Sequence, residues 1–95
     1  MPDSKQSFST FEELRGFVAV TLGNIESLKA EHFPLTEDVL FRSGQPCGIY
    51  FCLHGPRQVR LSAVWETVEN RILFYGSCGR RVLRTQLTAA PKLAA

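Results

Sequence analysis

Apolar residues early in the chain fall on a helical rhythm, and those in the second half fall on a strand rhythm. Phe11, Leu14, Val18, Leu22 and Ile25 recur at spacings of three and four, with Phe17 widening the stripe. That is one face of an α-helix. Ser9 with Glu12, and Thr10 with Glu13, offer two capping-box registers at its start. In such a box the hydroxyl accepts a bond from a free main-chain N–H, and the glutamate accepts one from the cap residue. Gly23-Asn24 reads as the stop, which places the helix at about 10–23. Beyond it, Ile25, Leu28, Phe33 and Leu35 are apolar but Pro34 interrupts any long helix. The segment 24–38 therefore reads as a short helical turn and a packed loop.

From Val39 the pattern is that of strands. Val39–Arg42 is a short one, and Ser43-Gly44-Gln45-Pro46 is a turn. Ile49–Leu53 is apolar on both faces, as an interior strand would be, and Gly55-Pro56 breaks it. Gln58–Glu66 alternates: Val59, Leu61, Ala63 and Trp65 point one way, and Gln58, Arg60, Ser62 and Glu66 the other, with Val64 as the exception. A turn at Glu69-Asn70, a strand at Ile72–Tyr75, a turn at Gly76–Gly79 and a strand at Arg81–Leu87 complete the series. Turns about ten residues apart imply sequential hairpins. Residues 1–8 and 88–95 read as flexible tails. The whole predicts a single domain over 1–95 of the α+β class. An N-terminal helix packs on a four- to five-stranded antiparallel meander sheet, its stripe covering the Val59/Leu61/Ala63/Trp65 face.

Composition agrees with one core, since 44% of the 95 residues are hydrophobic. That length leaves little room for a separate cofactor-binding domain. No apolar run approaches the roughly 18 residues that span a bilayer. The first ten residues lack the basic start and apolar middle of a secretory signal, so a cytoplasmic location is expected. Three cysteines, Cys47, Cys52 and Cys78, leave an odd thiol in a monomer and read as reduced.

Charge adds an asymmetry. Residues 1–41 carry three basic and seven acidic side chains, a balance of −4, whereas 42–95 carry eight basic and two acidic ones, a balance of +6. Seven of those eight bases are arginines. Such halves can complement each other within one chain or between two.

The run Pro46–Leu87, with "PCGIYFCLHGPR", "AVWETVENRILFYGS" and a closing "RTQL", resembles small bacterial proteins of uncharacterised function. It covers under half of the chain. The resemblance implies no activity and transfers no functional residue.

Four groups of residues invite chemistry. Cys47, Cys52, His54 and Cys78 are ligands of the kind zinc takes, but the spacing C-x4-C-x-H lacks the tight knuckle of zinc motifs. Cys78 and Arg84-Thr85 match the C-x5-R-[ST] phosphate loop of cysteine phosphatases, yet a strand follows the cysteine where a helix start is required. Cys52 or Cys78 with His54 is a thiol and an imidazole near each other, without an orienting third group. The fourth group is the arginines. Arg60 lies on the polar side of its strand, and Arg84 opposes the parity of Leu83, Thr85 and Leu87. Guanidiniums on a sheet with tyrosines nearby can hold phosphates and stack bases.

The sequence thus assigns no catalytic residue, no metal ligand and no cofactor. Its candidate contact residues are Arg60, Arg81 and Arg84, followed by Tyr75 and His54. The expected function is that of a non-enzymatic binding or assembly module acting through its sheet face or edge, as a homodimer or with a protein partner. The alternative is a polyanion- or RNA-binding module using the same arginine-rich surface. A cysteine-dependent enzyme or a zinc-binding domain ranks below both.

Overall fold

The computed structural model describes residues 3–93. Along the chain its main elements are β1 (Asp3–Ser7), α1 (Phe11–Ile25), β2 (Leu35–Arg42), β3 (Gln45–His54), β4 (Arg60–Glu66), β5 (Arg71–Tyr75) and β6 (Arg81–Ala89). The strands form one sheet in the order β1-β6-β5-β4-β3-β2. From β2 to β6 each strand pairs antiparallel with the next, so the predicted meander is present with five members. The sheet nevertheless has a sixth strand and is mixed, because β1 pairs in parallel with β6. The stretch expected as a loose leader is that strand. Ser4 and Thr85 share a hydroxyl–hydroxyl bond of 2.8 Å, which satisfies the fully buried Thr85. Phe8 follows, buried, with its N–H on the carbonyl of Ala89.

At the other end β6 runs to Ala89, and Ala90 and Leu93 pack against the core, so much of the expected C-terminal tail is also engaged. Residues 1, 2, 94 and 95 lie outside the described ones.

Helix α1 crosses one face of the sheet, carrying the chain from the β1 edge to the β2 edge. Of the two capping registers, Thr10/Glu13 is used: the Thr10 hydroxyl accepts from the Glu13 N–H, and the Glu13 carboxylate accepts from the N–H groups of Thr10 and Ser9. The stripe Leu14, Val18 and Leu22 is fully buried. It rests on Ile49, Phe51, Leu53, Leu61, Ala63 and Trp65. Phe17 packs edge-on to Phe74, and Phe11 to Trp65, with ring centroids 6.0 Å apart in each pair.

The helix does not stop at Gly23 but continues to Ile25. Gly23 serves instead as the place where the returning chain passes, its carbonyl accepting from the Leu28 N–H at 2.7 Å. A single 3-10 turn at Ala30–His32 then leads into β2, which is twice as long as the sequence pattern suggests. Its first half, Thr36-Glu37-Asp38, is polar and exposed because β2 is an edge. The ladder from Leu35 opposite Leu53 to Arg42 opposite Gln45 holds it. Arg15 on α1 reaches over the sheet to Glu37 with two hydrogen bonds, at 2.6 and 3.0 Å. Hydrogen bonding to the Glu37 carboxylate raises the Arg15 pKa further, with burial opposing. Both side chains are substantially exposed, so this tie contributes about 1 kcal/mol at most.

Candidate functional site

A helix covers one side of the sheet; the other side is open. Pairing fixes what stands there, because residues opposite one another in a ladder share a face. One row runs Asp38, Tyr50, Val64, Leu73, Arg84 across β2 to β6, and the next runs Thr36, Cys52, Ser62, Tyr75, Arg81. His54 and Arg60 face each other in the row beyond. The irregularity between Phe74 and Tyr75 brings Arg81, with Val82 as the extra residue, onto the same face as Tyr75.

All five sequence-derived candidates therefore lie on one face. His54, Arg60, Tyr75 and Arg81 sit at one end of it, and Arg84 lies nearer the middle, opposite Leu73. The His54 ring nitrogen Nε2 is 3.0 Å from the Thr36 hydroxyl. Arg60 and Arg81 are exposed. Arg71, by contrast, is held by Glu66 across the β4–β5 pair and is taken up in that bond.

The cysteine candidates separate. Cys52 and His54 share the open face, but Cys47 stands at the opposite end of β3, where its carbonyl accepts from Thr67. Cys78 is exposed in the β5–β6 turn. Among the described residues no group of three or more histidine, cysteine or acidic side chains converges as a metal site would require. The Cys78–Arg84 phosphate-loop match fails on geometry as well: Arg84 is in mid-strand, and no helix begins after Cys78.

The Cys52 thiol is pushed up by burial, against a smaller opposing pull from Arg60. Its thiolate, the reactive form, is correspondingly scarce at neutral pH. A thiol reagent such as Ellman's reagent should therefore modify Cys78 first and Cys52 last. Rapid loss of Cys52 in the native protein, followed by mass spectrometry, would contradict this placement.

The sequence reading missed the exposed end of the β2 edge strand. Val39, Leu40 and Phe41 at the end of β2 are 44, 37 and 63% exposed. Leu40, Arg42, Cys47, Val64 and Val68 line a shallow depression there. Nothing in the linear pattern separated these apolar residues from core ones, since a valine or phenylalanine in a strand defaults to the interior.

Among the described residues no helix is long and apolar enough to cross a membrane. No family model matches the chain, and no curated protein or solved structure is similar to it.

Proposed function

We propose that this chain is a non-enzymatic assembly module that self-associates through its sheet. The observation that carries the reading is the β2 edge. An unpaired strand edge is a template for another strand, and this one exposes three consecutive apolar residues, Val39, Leu40 and Phe41. Small domains commonly hide such surface by association. Sedimentation equilibrium should give the mass of two chains at micromolar concentration. A single-chain mass up to several hundred micromolar would remove the reading.

A second reading follows from the opposite end of the open face. Arg60 and Arg81 near Tyr75, with His54 opposite Arg60, offer guanidiniums beside an aromatic ring, which suits a phosphate-bearing polymer. Single-stranded RNA should then bind with an affinity that falls steeply as salt rises. Binding that is absent at low salt, or unaltered by Arg60→Ala with Arg81→Ala, excludes it.

A further inference from the structure

We infer that a second copy of this chain adds to the β2 edge as an antiparallel strand, about a two-fold axis through Leu40. The inference rests on the self-association reading and gives it an interface.

The register follows from elementary sheet geometry. When two identical strands pair across a two-fold axis in one continuous sheet, opposite residues share a face. The axis must then pass through a residue, not between two. The β2–β3 ladder places Cys47 as the extra residue between Leu40/Gly48 and Phe41/Pro46, so the bulge lies on β3 and β2 keeps its alternation. Glu37, Val39 and Phe41 share the helix side of β2; Asp38, Leu40 and Arg42 share the open side.

Only a few centres are available, and their charges differ sharply. Centring on Asp38 sets that carboxylate against its own copy. Centring on Val39 sets Asp38 opposite Leu40 and Glu37 opposite Phe41, spoiling both faces. Centring on Phe41 leaves Arg42 opposite Leu40. Centring on Leu40 pairs Asp38 with Arg42 of the other copy, twice by symmetry. It also pairs Val39 with Phe41, twice, and sets Leu40 against Leu40.

One face of the joint then carries a four-residue apolar cluster, and the other an apolar pair between two ion pairs. Neither Asp38 nor Arg42 has an ion pair within its own chain among the described residues. Both are exposed. Opposite charges directly across a strand pair are favourable and like charges are not. The same side chains that would repel a random strand thus admit this one in a single register.

The test is a charge swap read by sedimentation or light scattering over a dilution series. Asp38→Arg and Arg42→Asp should each weaken the dimer by about tenfold or more, because each change sets like charges opposite at two places. The double variant, Asp38→Arg with Arg42→Asp, should recover wild-type affinity to within about threefold. Far-UV circular dichroism should be unchanged in all three.

Single variants that dimerise as well as wild type, or a double variant that stays weak, would overturn the β2 pairing while leaving self-association through another surface intact. A wild-type chain that is monomeric throughout would overturn both. The two residues lie four apart on one extended strand, too far to compensate each other within a chain. Recovery in the double variant therefore reports contact between copies.

Discussion

Trp65→Ala should unfold or nearly unfold this domain, lowering its stability by about 3–5 kcal/mol. Trp65 is only 1% exposed. It lies in β4, the fourth strand from the β1 edge, beneath the helix and edge-on to Phe11. Its indole N–H donates to the Asn70 side chain at 3.2 Å. Asn70 in turn accepts at its main-chain carbonyl from the Leu87 N–H, at 2.8 Å, so the indole also helps to fix the β4–β5 turn against β6. Truncation removes the largest fully buried side chain and leaves a cavity where β3, β5 and α1 meet. Domains of this size hold about 5–15 kcal/mol in total, so the loss is a large share of the whole.

The urea midpoint should be followed by far-UV circular dichroism, because the chain has one tryptophan and the variant loses its fluorescence. Phe41→Ala is the informative contrast. Phe41 is also a large apolar residue in a strand, but it is 63% exposed. Its truncation should change monomer stability by about 0.5 kcal/mol or less and weaken the dimer instead. A Trp65→Ala midpoint close to that of wild type would refute the placement of the core.

The contrast between Trp65 and Phe41 also marks what the sequence discloses. Trp65 was legible because Leu61, Ala63 and Trp65 alternate with Arg60, Ser62 and Glu66 over a full strand, Val64 being the one apolar exception, and a two-residue period has one structural meaning. The helix was legible for the same reason at period 3.6, and Thr10 with Glu13 set its start. The candidate face was half legible. Parity alone put Arg60 opposite the core side of β4 and Arg84 opposite the core side of β6, but parity within a strand does not say which strands are neighbours. Only the ladder puts Arg81 beside Tyr75 and His54 beside Arg60.

β1 was hidden for a different reason. Its residues Asp3-Ser-Lys-Gln-Ser are polar throughout, and its partner strand lies some eighty positions away. A parallel edge strand that contributes main-chain hydrogen bonds and one hydroxyl pair leaves no apolar signature. The exposure of Val39, Leu40 and Phe41 was hidden because it follows from β2 being the last strand, which is a property of the sheet order and not of the segment.

Replacing Gly48 with alanine should lower the melting temperature by several degrees, the second large effect expected of a single substitution. Gly48 pairs with Leu40 on one side and Glu66 on the other, next to the extra residue Cys47. A Cβ built at this position would overlap the main-chain carbonyl oxygen of Trp65. Two effects compete. Alanine restricts the unfolded chain more than glycine does, which alone stabilises by about 0.4–1 kcal/mol. The overlap is with backbone of the neighbouring strand and not with the end of a flexible side chain, so β3 must move relative to β4, at a cost of about 1–3 kcal/mol. The steric cost is the larger, and a net loss of about 1–2 kcal/mol corresponds to a fall of roughly 5–15 °C for a domain near 100 residues.

Because β3 carries β2, the same shift displaces Leu40 from the axis inferred above. Gly48→Ala should therefore weaken both the fold and the dimer, whereas Asp38→Arg and Phe41→Ala should weaken the dimer alone. Calorimetry beside a dilution series separates the two patterns. A Gly48→Ala protein that melts at or above the wild-type temperature would show that the β3–β4 approach at this point is looser than described.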